Sequence, residues 1–375
     1  MSDIEIIRYQ PSLHEDLVEF RRRTYESGFP ESRAYLEWKY DLNPFIPEPL
    51  FYIARDRGRI VGMRGAYGTR WEFGTAGETV VLPCADDFAV APEYRSRGVA
   101  ALIMREALSD LAARGHDFVV NTSGGRLTVL SSLAQGWRSA AAMESLVRLS
   151  PVAGARNVMS SRLRGVRGLW RVARIHSNTA ISSAAPFARL DRMKRMTVAG
   201  GTIVAERLVR ADAMAELVAR LPYDGRLRQI RDATYLAWRY RNPIREYRFL
   251  YFEREGRLDG YLALARWVEF QRPTLPFHIV DWEGVDETVR RELLLCALRV
   301  ARISELGTWG ASRDMDMLHG AGFVIADPEQ RARGLPCVLL KKLRGDTAPE
   351  AWTLGGASLL APQRWDMRLL YSMHG

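Results

Sequence analysis

Between Arg95 and Ala100 the chain reads Arg-Ser-Arg-Gly-Val-Ala, at the point where an apolar run passes a proline turn and enters an amphipathic stretch. A helix start exposes backbone N–H groups that have no intrahelical acceptor and carries the positive end of the macrodipole, so it suits an anion. Arg95 and Arg97 add charge of the matching sign, Gly98 lets a ligand approach the main chain, and Ala100 keeps the first turn narrow. That combination is suited to a pyrophosphate. Just upstream, Cys84-Ala-Asp-Asp-Phe-Ala-Val places two acids, Asp86 and Asp87, in an otherwise apolar run. Buried carboxylates need partners or a polar cavity, so at least one should face a polar cavity, where it can accept a proton. Strand alternation sends the two to opposite faces, so only one of them can point directly into a cleft, and Asp86 is the one that shares a face with Cys84. Cys84 has no recognisable histidine partner and reads as a small buried filler.

The elements that must position these residues follow from hydrophobic periodicity. Up to about residue 140 the pattern gives a strand, two helices, a strand hairpin around Gly58, a long central strand, a long helix, a strand and a short helix stopping at Gly136-Trp137. The order then recurs. Tyr35, Leu36, Trp38 and Tyr40 match Tyr235, Leu236, Trp238 and Tyr240, Asn-Pro pairs follow in both halves, and Gly58 and Gly62 match Gly256 and Gly260. This is the signature of an internal duplication, each half an α+β layer on a mixed sheet.

Between the halves lies a basic segment. From Pro151 to Arg195 ten basic residues face one acid, which accounts for nearly all of the chain's net charge of +10. Arg164, Arg167, Arg171 and Arg174 fall on one face at helical spacing, opposite Leu163, Val166, Trp170 and Ala173. Two readings stand: a connecting helix with solvated arginines, or a surface over 156–195 for an anionic partner such as a lipid surface or a nucleotide-linked ligand. Aromatic residues interleave poorly with these arginines, so nucleic acid is not the expected partner. A length of 375 residues with 47% hydrophobic content allows two ordinary domains. Three widely spaced cysteines, an acidic start and no run of membrane-span length lead to the expectation of a cytoplasmic protein without disulfides. Six scattered histidines have no metal-ligand spacing, so no metal is expected.

Arg95-Ser-Arg-Gly98-Val-Ala100, in its strand–turn–helix setting and followed by the Gly136-Trp137 stop, resembles the phosphate-binding signature of the GNAT acyltransferase superfamily. The resemblance covers roughly the first 140 residues; the second half resembles the fold more than the site. It implies two tandem GNAT-like domains, each a mixed, mostly antiparallel sheet flanked by helices: 1–150 binding acyl-CoA and catalytic, 151–200 a basic connection, and 201–375 a degenerate copy shaping the acceptor cleft. The amides of Ser96, Arg97, Gly98, Val99 and Ala100, with Arg95, would cradle the pyrophosphate of acetyl-CoA or another acyl-CoA, and the backbone of Phe88, Ala89 and Val90 would pair with the pantetheine arm. A primary amine would then attack the thioester directly, with Asp86 favoured over Asp87 as the base because its face with Cys84 lies near where some relatives place one. Where many relatives have a tyrosine acid this chain has Ser132, too weakly acidic for that role but able to hydrogen-bond the sulfur. The second half has no such signature, and its helix is expected to start at Asp286 and Glu287, which occupy the place a phosphate would take. Two other classes fit the same residues: an acyl-CoA-binding module without turnover, and a Fem-like transferase dependent on aminoacyl-tRNA.

Overall fold

The computed structural model describes residues 4–372 apart from 26–27, 123–125, 150–184, 269–276, 304, 311–313, 327–336 and 347. The arginine stripe read over Arg162–Arg174 lies outside the described residues. The far end of that segment is described: it forms the helix Ala185–Met193, with Phe187 and Leu190 buried and Asp191 bonded to Arg207 and Arg248.

The first half contributes β1 (Glu5–Arg8), β2 (Leu50–Asp56), β3 (Arg59–Phe73), β4 (Glu78–Val90), β5 (Phe118–Asn121), β6 (Arg138–Ala142) and β7 (Glu144–Leu149). The second contributes β8 (Arg195–Val198), β9 (Gly201–Glu206), β10 (Arg228–Gln229), β11 (Arg245–Arg254), β12 (Arg257–Trp267), β13 (Phe277–Gly284), β14 (Glu305–Gly310), β15 (Val324–Ile325) and β16 (Cys337–Lys342). They assemble into two eight-stranded, mostly antiparallel sheets, one ordered β1-β2-β3-β4-β5-β16-β6 with β10 on β3, the other β15-β7-β14-β13-β12-β11-β9-β8. The α+β architecture read from the sequence is therefore present twice.

Local chemistry explains the matching positions. The β2–β3 and β11–β12 hairpins turn through Arg57-Gly58 and Glu255-Gly256, all four with positive φ, as a two-residue turn matched to strand twist requires. Gly62 and Gly260 serve close approach: an added Cβ would lie 2.7 Å from Ile103 Cδ1 in one half and 2.4 Å from Val289 Cγ1 in the other. In each half a helix thus packs directly onto the second strand of the hairpin.

The halves are joined more closely than a linker would join them. β7, from the first half, pairs with β14 and β15 in the second sheet, and β16, from the second half, pairs with β5 and β6 in the first. The second sheet thus takes one strand from the first half, and the first sheet takes β16 and the short β10 from the second. The duplicated tryptophans meet at the centre, stacked 5.3 Å apart with planes 17° from parallel. Trp38 Nε1 donates to the Trp238 carbonyl at 2.7 Å and Trp238 Nε1 to the Trp38 carbonyl at 2.8 Å, a reciprocal pair expected from a pseudo-two-fold axis. Such a stack contributes about 0.5–1.5 kcal/mol beyond its buried area. The core around it draws on both halves, with Phe51, Met63 and Trp71 on one side and Tyr235, Phe249 and Leu370 on the other.

Candidate acyl-transfer site

β4 and β5 run parallel and meet at one register pair, Cys84 with Val120. Past that point β5 ends at Asn121 while β4 continues to Val90, so among the described residues the edge of β4 from Ala85 to Val90 has no strand partner on this side. Phe88, Ala89 and Val90 form that open edge. On the other side the register with β3 moves from Met63–Ala89 to Gly65–Asp86, so Arg64 opposes both Asp87 and Phe88. This is a β-bulge, and its Asp87 sits at φ 48.

The bulge overturns the expectation that Asp86 and Asp87 face opposite ways. Simple alternation requires extended backbone at both residues, and the left-handed conformation at Asp87 breaks it. Both carboxylates converge on the ammonium of Lys39, with Nζ donating to Asp86 Oδ2 at 2.7 Å and to Asp87 Oδ2 at 2.6 Å. Asp87 also accepts from Arg21 Nη1 and from the Tyr40 hydroxyl, each at 2.7 Å, and its side chain is 6% exposed. Asp86 is 19% exposed and so is the carboxylate that solvent reaches.

Lys39 and Tyr40 come from the π-helical turn Glu37–Asp41 that extends the helix Phe29–Leu36, and Arg21 from the helix His14–Tyr25. Burial alone would lower the Lys39 pKa, but Asp86 and Asp87 outweigh it and hold the ammonium above its ordinary value. Tyr35, which accepts from Lys39 Nζ at 3.0 Å, is pushed up to about 12, first by burial and then by Asp87. Burial also raises the Cys84 thiol, against hydrogen bonds from its surroundings, in keeping with a filler rather than a nucleophile.

The helix after the open edge is Val99–Ala113, one residue past the glycine. Gly98, at φ 79, is its N-cap residue; no side chain caps it and no acid lies in its first turn. Ser96 is left-handed as well, at φ 62. Arg95 donates to the Val90 carbonyl at 3.2 Å, and Arg97 lies over the Tyr94 ring. A Cβ on Gly98 would meet nothing within 4 Å. Exposed amides, open space before them and an unpaired strand edge beside them suit a phosphate-bearing ligand with an extended arm.

Ser132 is placed differently from the acids. Its hydroxyl is buried without a hydrogen-bond partner among the described residues, in the helix Arg126–Ala134. No described hydrogen bond links it to Asp86, Asp87 or Cys84. The residues that sequence reasoning missed are Lys39, Arg21, Tyr40 and Arg64. A lysine inside an aromatic helical run, Leu-Glu-Trp-Lys-Tyr, was a signal that it is buried and therefore paired.

The second half has the same split with a different fate. β13 and β14 run parallel over Phe277–Leu306 and His278–Gly307 and then part. Between them lies a water-sized cavity of about 30 Å³ lined by Thr308, Trp309, Arg368 and Leu369 among others. Arg368 Nη1 donates to the Trp282 carbonyl at 3.0 Å and to Asp281 at 3.1 Å, so a residue near the end of the chain takes the acceptor that an incoming strand would use. At the following helix, Asp286 caps the start by accepting from Val289 N at 2.8 Å.

Comparison with known proteins bears on the fold. The family model described as an acetyltransferase (GNAT) domain matches residues 5–124. No curated protein matches the chain. Among solved structures, one similar to it is a conserved protein of unknown function from Enterococcus faecalis V583, described as a probable N-acyltransferase, with TM-score 0.60 and 12% identity over 93% of this chain and 75% of that one. A GCN5-related N-acetyltransferase from Anabaena variabilis gives TM-score 0.56 and 13% identity over 93% and 75%. Eis1 from Mycobacterium abscessus gives 0.51 and 13% over 91% and 73%. The chain therefore has the GNAT fold, and has it twice.

Proposed function

We propose that the chain moves an acyl group from coenzyme A to a primary amine, at one site in the first half. The observation that carries this reading is the uncapped helix start at Gly98 beside the open edge of β4, with a carboxylate pair at the same strand. The matched acetyltransferase model spans all of these elements, and the names borne by the structural relatives point the same way.

In this reading the amides of Ser96 to Ala100 bind the pyrophosphate, and the β4 edge from Phe88 to Val90 holds the pantetheine as an added strand would be held. The amine nitrogen attacks the thioester carbon, the C–N bond forms, the C–S bond breaks, and coenzyme A leaves as a thiolate. The proton lost by the amine passes to Asp86, the acid that solvent reaches. Asp87 fixes Lys39 and the bulge, and so positions Asp86. A thiol is acidic enough to leave unaided near neutral pH, so the buried Ser132 is not required as an acid. The proposed setting is the cytoplasm, which three widely spaced cysteines suit; among the described residues no helix is long and apolar enough to cross a membrane.

The test is direct. Isothermal calorimetry should show acetyl-CoA binding, and free thiol should appear when amines are added. A folded protein that binds no acyl-CoA would refute the reading; binding without thiol release across a broad amine panel would leave a binding module.

A further inference from the structure

The cleft holds one more cation than the carboxylates around it can balance. Arg64, on β3 opposite the bulge, is 2% exposed, and its guanidinium lies over the Phe88 ring with Cζ 5.1 Å from the centroid. Its Nη2 is buried with no hydrogen-bond partner among the described residues. The groups close enough to act on it electrostatically are Asp86 first, then Tyr40, Cys84 and Tyr25, which places it beside Asp86. Both carboxylates are already engaged, Asp87 by Arg21, Lys39 and Tyr40, and Asp86 by Lys39. Three buried cations thus share two carboxylates.

A buried charge without a counter-charge is strongly unfavourable, and an arginine cannot relieve it by losing its proton at physiological pH. Burial does depress the Arg64 pKa, but from a starting value too high for neutralisation. Balance must come from a ligand. The planar fork of a guanidinium matches a carboxylate bidentately, and the buried Nη2, which has no hydrogen-bond partner among the described residues, can supply one prong of such a fork.

We propose that Arg64 binds a carboxylate carried by one of the two substrates, which narrows the acyl-transfer reading on which it rests. The carboxylate comes either from the acceptor, as in an amino acid, or from the donor, as in a dicarboxylic acyl-CoA.

Two paired comparisons on the full chain decide the matter and separate the sources. In the donor arm, calorimetry compares succinyl-CoA with butyryl-CoA. In the acceptor arm, binding and thiol release with acetyl-CoA compare free amino acids with their carboxamides. A charge-assisted bidentate contact should give about a tenfold to hundredfold preference for the carboxylate in one arm, and Arg64→Met should erase it. Arg64→Met should also raise the melting temperature of the free protein, because it removes an unpaired buried charge, whereas loss of a merely structural arginine would lower it. Equal values for both members of each pair in the wild type, or a preference that survives Arg64→Met, would overturn the proposal. Should Arg64→Met fail to fold, the wild-type comparisons and Arg64→Lys, expected to keep only part of the preference, still decide. Absence of acetyl-CoA binding would sink the acyl-transfer reading and this proposal together. Acetyl-CoA binding with no carboxylate preference would sink this proposal alone.

Discussion

The two adjacent acids should separate when mutated, Asp87 affecting stability and Asp86 affecting turnover. Asp87 lies between Arg21 at 2.7 Å and Lys39 at 2.6 Å and takes the Tyr40 hydroxyl as well. Asp87→Asn keeps the shape but leaves three buried cations, Arg21, Lys39 and Arg64, with the charge of Asp86 alone. Removing one partner of a buried ion pair costs about 3–5 kcal/mol. At roughly 2–4 °C per kcal/mol for a domain of this size, the melting temperature should fall by on the order of 10 °C. Asp86→Asn leaves Lys39 with Asp87 and Tyr35 but takes from Arg64 the carboxylate that acts on it; because solvent reaches the lost group, the loss of stability should be smaller than for Asp87→Asn. Turnover is another matter: general-base assistance contributes about 10²- to 10⁴-fold, and Asp86→Asn should lose an amount in that range while binding acetyl-CoA normally. The assays are thermal unfolding and steady-state thiol release from pH 6 to 9 with a working amine. An Asp87→Asn protein of normal stability and no turnover, beside a fully active Asp86→Asn protein, would reverse the assignment; full turnover in both would remove the acids from the chemistry.

The remaining expectations concern the cofactor loop and the buried lysine. Gly98→Glu should abolish coenzyme A binding in a folded protein, because a side chain there displaces nothing in the protein and adds only about 1–2 kcal/mol of left-handed strain while placing bulk and charge before the amides; unchanged calorimetric affinity would exclude this loop as the site. Titration should saturate at one coenzyme A per chain, since Asp286 caps the other helix and Arg368 covers the other strand edge; two equivalents would contradict that. Lys39 is held above its ordinary value of 10.5, so its contribution to stability is complete below that pH and is lost only as pH rises through the higher folded value. The stability gap between wild type and Lys39→Met should therefore be constant from pH 7 to about pH 10, and a gap that closes by pH 9 would show the lysine is not so held.

Periodicity and turn chemistry made most of the fold legible. The hairpin glycines, the paired Tyr-Leu-x-Trp-x-Tyr runs and the long amphipathic helix after Gly98 lie where their local chemistry dictates. Two features were hidden for stated reasons. The exchange of β7 and β16 was invisible because a closing strand satisfies the same alternation in either sheet, and only long-range pairing decides which sheet it joins. The direction of Asp87 was missed because a bulge changes the side-chain period by one residue and leaves no mark in composition. Lys39, Arg21 and Arg64 come to the acids from two helices and a neighbouring strand, distances of sequence that spacing within one segment cannot reveal.

The two halves start from one plan, and what separates them is small and local. Both have a bulged central strand that parts from a parallel neighbour, and both follow it with a helix. In the second half Asp286 satisfies one of the helix amides and Arg368 satisfies one carbonyl of the strand. In the first half glycine stands at the cap, and past Cys84 β4 has no strand partner on that side among the described residues, its Phe88 and Val90 carbonyls accepting instead from the Tyr25 hydroxyl and Arg95. The second half also bears on the first. β16 flanks β5, the strand on the far side of the first gap, and the Tyr371 carbonyl accepts from Thr122 at 3.2 Å beside Cys84. The second half is thus bonded directly into the wall of the first gap, so the width of that opening is set by residues from both copies, and losing the second copy would remove the support of the first.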